Sequence, residues 1–91
     1  MKQNIQDILQ ERGSRYGEFS DFAKISQDLK SKIPIYLTTD DEVINEGLEM
    51  IMHKIARILN GDPFYDDSWR DIAGYATLVA DYLKGKENES K

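Results

Sequence analysis

EVINEGLEMIMHKIARILN, residues 42–60, decides the fold. At about 100° per residue, Ile44, Leu48, Ile51, Ile55, Ile58 and Leu59 gather into one broad apolar stripe flanked by Met52. No period-two alternation competes with this pattern, so the segment reads as an amphipathic helix. Both of its ends are marked. Thr38-Thr39-Asp40-Asp41-Glu42 predicts the start, with Thr39 as N-cap, Glu42 closing a capping box, and acids gathered at the positive end of the dipole. Gly61 follows the last periodic residue and Pro63 lies just beyond, while Lys54 and Arg57 sit toward the negative end.

The same period extends in both directions. Downstream, Trp69, Ile72, Ala73, Ala76, Val79, Ala80 and Leu83 predict a core stripe on a helix that opens at Asp66 or Asp67. Upstream, Phe19, Phe22, Ala23, Ile25 and Leu29 predict a helix to about Lys32, and Ile5, Ile8 and Leu9 a short one from Gln3 that stops before Gly13. Lys32-Ile33-Pro34-Ile35-Tyr36-Leu37 is apolar and β-branched, but Pro34 removes a backbone donor. It reads as an extended packed loop, with a strand as the alternative. The expected fold is therefore all-α: about four helices in a small antiparallel bundle over residues 1–84, with a polar, disordered tail at 85–91.

Composition narrows the chemistry. Ninety-one residues with 40% hydrophobic content leave no room for a second independent core. No apolar run approaches the ~18 residues needed to span a bilayer, and residues 1–10 have no apolar signal core, so a cytoplasmic address is expected. Without cysteine there is no disulfide scaffold, thiolate metal site or thiol nucleophile, which leaves carboxylates, hydroxyls, one His and a few cations. A net charge of −5, with Lys and Arg interleaved among acids, argues against direct nucleic-acid binding.

Opposite the apolar stripe of residues 42–60, Glu46, Glu49, His53 and Arg57 share about a quarter-turn arc. Any surface helix shows a polar row opposite its apolar one, so the row alone does not make a site. On the following helix Asp67 and Asp71 stand at i,i+4, close in angle to Tyr75, Leu78 and Tyr82. Those three residues give that helix a second, partly apolar surface, which predicts either a homo-oligomer or cover by the first two helices. A packed neighbour would draw Glu46, Glu49, Asp67 and Asp71 into one crevice, and four carboxylates without thiolates suit Mg²⁺ or Mn²⁺. The Arg15-Tyr16-Gly17 turn is a further candidate, because core-building does not call for an Arg and a Tyr in a loop.

Three strings carry a resemblance: RGSRYGEF at 12–19, EGLEMIMHKIARILNGDP at 46–63 and DSWRDIAGYATLVADYL at 67–83. Together they resemble a family of small helical proteins encoded by phages and prophages, most of them uncharacterised. Helix order and acid spacing are also similar to the all-α nucleoside triphosphate pyrophosphohydrolases of the MazG type. That resemblance implies an ExxE motif on one helix and an ExxD motif on the next, jointly holding Mg²⁺ against a nucleoside triphosphate. Here Glu46 and Glu49 match the first motif and Asp71 the aspartate of the second, whereas Ser68 stands at the second motif's first acid with Asp67 beside it.

The resemblance implies water attack on an α-phosphate, with Glu46, Glu49 and Asp71 as catalytic residues, and these with Asp67 as metal ligands. Lys54, Arg57 and Arg15 are the candidate phosphate contacts, and His53 is a candidate base or phosphate donor. Tyr16 and Tyr75 are candidates to stack on a base, whereas Trp69 falls on the core stripe and reads as packing. For Lys54 and Arg57 the competing reading is compensation of the helix dipole. A different class also fits: a non-enzymatic interaction module, an inhibitor or accessory of a host or phage complex, acting through Tyr75, Leu78 and Tyr82.

Overall fold

In the computed structural model, which describes residues 4–89 and the side chains of 4–87, the central element is the helix read first from the sequence, Glu42–Asn60. In chain order the elements are α1 (Ile5–Tyr16), α2 (Phe19–Ser31), the single turn α3 (Ile33–Tyr36), α4 (Glu42–Asn60) and α5 (Asp67–Glu89). The architecture is all-α, with no strand among the described residues. No helix there is long and apolar enough to cross a membrane.

Local chemistry sets the helix ends, in places differently from expectation. α1 begins at Asn4, whose side chain accepts from the Asp7 amide at 2.9 Å, and it runs through Gly13 to Tyr16. An interior Gly costs a helix only about 1 kcal/mol, and the residue that stops α1 is Gly17, at φ +79°. The 32–37 segment is not extended. Pro34 lies in the first turn of α3, where its missing N–H is not needed, and the buried Ile33 anchors that turn. The N-cap of α4 is Asp41 and not Thr39: Asp41 Oδ1 accepts from the amides of Val43 (2.9 Å) and Ile44 (3.2 Å). Thr39 Oγ1 instead accepts from the Asp41 amide, so it supports the cap from one step outside the helix. α5 continues to Glu89, five residues into the 85–91 stretch read as a tail, whose last two residues lie outside the described range.

α4 packs against α2 along one side and α5 along the other, while α2 and α5 do not meet. Both neighbours run antiparallel to α4. The α5 pairing follows Asp41 with Tyr82, Gly47 with Val79 and Lys54 with Asp71; the α2 pairing follows Phe22 with His53 and Glu18 with Asn60. Gly47 is required at its seam, because a Cβ there would collide with the stiff, branched Val79 side chain.

The three helices thus form a layer, and its core is thin. Among the described residues the buried hydrophobic side chains are Phe22, Ile33 and Ala56, joined by Ser26, Lys54 and Ser68. The α4 stripe of Ile44, Leu48, Ile51, Ile55 and Ile58 is only half-buried, and Leu59 is exposed. On α5 the residues turned toward α4 are Ser68, Ile72, Tyr75, Val79 and Tyr82, so the helix is rotated from the predicted stripe. Trp69, expected in the core, is 55% exposed and donates its indole N–H to the Pro63 carbonyl at 3.1 Å. The reason is geometric: α5 packs along a single helix, α4, which covers one edge of its apolar arc and leaves Trp69, Ala73, Ala76, Ala80 and Leu83 outside.

Asp41 also ties α4 to α5 at one end of this seam. Its Oδ2 accepts from the Tyr82 phenol at 2.9 Å and from Lys86 Nζ at 3.3 Å. The Tyr82 hydrogen bond, foremost, holds the Asp41 carboxyl below its ordinary value, helped by the Ile44 and Val43 amides and Lys86. A depressed folded-state value stabilises the fold above about pH 4 and loses that contribution as pH falls further. Asp41→Ala is therefore expected to lower the thermal midpoint at pH 7 and to remove part of the acid sensitivity below pH 4, whereas Thr39→Ala shifts the midpoint much less. Melts followed by circular dichroism at several pH values check this.

Candidate functional site

At the far end of the layer two turns clasp each other. The Asn60 side-chain amide donates to the carbonyls of Tyr16 and Glu18, each at 2.9 Å, and so spans Gly17. The Asp62 amide donates to the Arg15 carbonyl at 2.8 Å. Gly17 and Gly61 are glycines because of this approach: a Cβ on the first would strike the Asn60 backbone, and one on the second the backbone of Arg15 and Tyr16.

The clasp brings charged residues from three helices to one corner. The Tyr16 phenol donates to Asp67 Oδ2 at 3.0 Å, and the Arg57 guanidinium stacks 4.4 Å from the Tyr16 ring centroid. Burial, then the hydrogen bond to Asp67, raises the Tyr16 phenol above its usual value, so it remains a donor. Arg15 lies 4.2 Å from the ring centroid of Tyr65, which in turn tilts against Tyr16 at 6.2 Å. Lys54 Nζ meets Asp71 at 2.9 Å across the α4–α5 seam. Arg15, Lys54, Arg57, Asp67 and Asp71, all candidates from the sequence, are thus gathered around Tyr16 and the adjoining seam.

The remaining acids are not. Glu49 accepts from the Asn45 side-chain amide at 2.7 Å on α4 itself, and Glu46 is exposed along a shallow groove beside Tyr75 and Leu78. Asp71 is engaged by Lys54 and Asp67 by Tyr16. Among the described residues no three His, Asp or Glu side chains converge as a metal ion requires. The donor set expected for Mg²⁺ is therefore not assembled within one chain. Lys54, at 9% exposure and paired, does not present its ammonium for a phosphate. Of the expected self-association surface, Leu78 is 65% exposed, Tyr75 is half-buried, and Tyr82 is turned onto Asp41.

Beside the corner opens a cleft of about 720 Å³ between α1, α2 and α4, lined by Leu9, Gln10, Arg12, Gly13, Tyr16, Gly17, Glu18, Phe19, Phe22, His53 and Arg57. Neither Arg12 nor Arg57 forms an ion pair with a described residue, and Glu18 is the one acid in the lining. His53 packs edge-on against Phe22, with centroids 4.8 Å apart. Burial first, then the nearby charges of Arg57, Lys30 and Lys54, lowers its proton affinity to about 4. At neutral pH it is an uncharged donor and acceptor. No sequence signal singles out Arg12, and helical periodicity assigns Phe19 and Phe22 to packing. The Arg15-Tyr16-Gly17 turn was the available signal.

With this geometry the chain matches, over residues 1–83, a family described as a domain of unknown function. The chain belongs to the DUF6378 family. Neither a curated protein nor a solved structure matches it. The DUF6378 match takes in the clasp, the cleft and α5 as far as Leu83.

Two outcomes are expected from this geometry. Gly17→Ala, strained at positive φ and blocked by Asn60, costs about 2 kcal/mol or more, against about 1 kcal/mol for Tyr16→Phe, which loses the link to Asp67. Urea unfolding measures both. His53, with its folded value depressed, favours the fold above about pH 6.5 and withdraws that stability as pH falls toward its value of about 4. A His53→Gln chain should therefore show a flatter stability profile than the natural one between pH 4 and 6.5.

Proposed function

We propose that this protein binds a nucleotide in the cleft between α1, α2 and α4, as a relative of the nucleoside triphosphate pyrophosphohydrolases. The observation that carries the reading is the lining: two guanidinium groups without ion-pair partners among the described residues, beside exposed and half-buried aromatic rings. An anion bearing a flat ring satisfies both. Arg57 rests one face on Tyr16, so its N–H edge is left to grip a phosphate in bidentate fashion, and Tyr16 is itself held by Asp67. Arg12 supplies a second positive charge. Phe19 at the rim offers stacking surface for a base, and neutral His53 a hydrogen bond.

Binding is the part of the proposal that the geometry of one chain favours. Pyrophosphate release would need Glu46, Glu49 and Asp71 to meet at a cation; within one chain Glu49 is engaged by Asn45 and Asp71 by Lys54, and no three acids converge among the described residues. The resemblance of the three strings also makes a phage or prophage origin and a cytoplasmic address part of the proposal. Homo-oligomerisation belongs to it on the strength of the half-covered α4 and α5 stripes. A non-enzymatic interaction module is the second reading, favoured by the large exposed side chains Phe64, Trp69 and Leu78.

Titration of the natural chain with deoxynucleoside triphosphates and monophosphates, with and without Mg²⁺, tests the first reading. Arg57→Ala is expected to weaken binding at least tenfold, in line with the ~1.5–3 kcal/mol of a hydrogen bond to a charged group. Arg12→Ala, on a solvent-exposed position, should weaken it without disturbing the fold, and Glu49→Gln should leave it unchanged. No thermal shift and no heat with any nucleotide would sink the proposal in favour of the interaction module.

A further inference from the structure

The α2–α4–α5 layer has two faces that differ in chemistry. Leu48 and Arg57 lie nine residues apart on α4 and at about 100° per residue point to opposite sides. On the Arg57 side, α1 and Tyr16 cover α4. On the Leu48 side, a groove of about 310 Å³ runs along the seam, lined by Ile44, Leu48 and Ile51 of α4 and Ala76, Ala80 and Leu83 of α5. Gly47 and Val79 complete the lining, and neither a charged nor a hydrogen-bonding side chain takes part in it.

We infer that this groove is where a second copy of the chain packs, apolar face to apolar face, so that two α4–α5 pairs enclose one shared core. The inference rests on the homo-oligomeric part of the proposal above and names its surface. The area supports it. The chain exposes 7046 Å², whereas a compact monomer of its mass would expose ~5,400 Å². The surplus of ~1,600 Å² exceeds the ~800 Å² that each partner contributes to a standard stable interface.

The shape agrees, with a radius of gyration of 16.1 Å against ~12 Å for a compact chain of this length. A second copy fits better than an unlike partner. The open residues are the α4 and α5 stripes that the sequence marks as core, and an obligate homodimer interface resembles a domain core cut in half. The groove lining brings no like charges together when two chains of charge −5 meet there. Ala76 and Ala80 let a partner helix approach closely.

Sedimentation equilibrium of the full chain tests this, with Ala80→Glu and Leu78→Glu alongside. Ala80 is exposed in the single chain, so a carboxylate there is tolerated by one chain and not by two. The natural chain and Leu78→Glu are expected at twice the 10.5 kDa chain mass, and Ala80→Glu at the single mass with its helical signal retained. A natural chain at single mass across all concentrations overturns the oligomer reading itself. A dimer that survives Ala80→Glu, or that Leu78→Glu separates, overturns the assigned face alone. The melting midpoint of the natural chain over a hundredfold dilution is the second measurement: it should fall with dilution. An Ala80→Glu chain that is monomeric and unfolded supports the proposal if that midpoint falls, and overturns it if the midpoint stays constant.

Discussion

The side-chain amide of Asn60 holds this structure together at the end that carries the cleft. Its two N–H groups reach carbonyls on either side of Gly17, so one residue at the end of α4 fixes both the exit of α1 and the entry of α2. The turn from α1 to α2 and the turn from α4 to α5 can then be one packed unit. Gly17 and Gly61 follow from that closeness, since neither position has space for a Cβ. With the turns locked, Tyr16 stands between Asp67 and Arg57, and Arg15 falls beside Tyr65. The cleft wall is thus set by backbone docking that carries no charge.

α4 performs two tasks that compete for its surface. Ala56 and His53 face α2, while Gly47 and Lys54 face α5. A helix with neighbours on two sides cannot also bury a broad apolar stripe lying between them, so Ile44, Leu48, Ile51 and Ile55 remain half-open. The Lys54–Asp71 pair, with Lys54 buried and Asp71 partly exposed, belongs to the same seam. An ion pair of this kind gains little net stability over an apolar pair of similar volume, but the buried Lys54 left alone would be costly. The pair therefore acts chiefly against a slip of α5 along α4.

Helix existence was legible because periodicity and end signals agree locally: Gly61 closes α4, and Asp67 opens α5 where the acids predict it. The misses came from choices that local pattern leaves degenerate. Thr39 and Asp41 are both competent caps, and the chain uses the one that Tyr82 and Lys86 also reach. The apolar arc of α5 is wide enough to accept several rotations, and the space for Gly47 against Val79 selects one that turns Trp69 out. Pro34 removes a donor whether the chain is extended or starts a helical turn, so it could not decide α3.

The candidate site was legible in part for the same reason. Angular arithmetic on single helices put Glu46, Glu49, His53 and Arg57 in one row, but the row spans more than two turns of α4, and only its C-terminal half reaches the clasp. Which residues meet was decided by partners on other elements: Tyr16 takes Asp67 and Arg57, and Lys54 takes Asp71. Net charge is likewise a poor guide to the local field. The chain carries −5 overall, yet its cleft is lined by Arg12 and Arg57 with Glu18 the one acid among the lining residues. His53 stays neutral there because a positive charge on it would meet burial first and then repulsion from Arg57, Lys30 and Lys54. An anion entering that space relieves the repulsion that adds to burial in keeping His53 uncharged, so the residue that reports the cleft's polarity is one that does not carry charge at neutral pH.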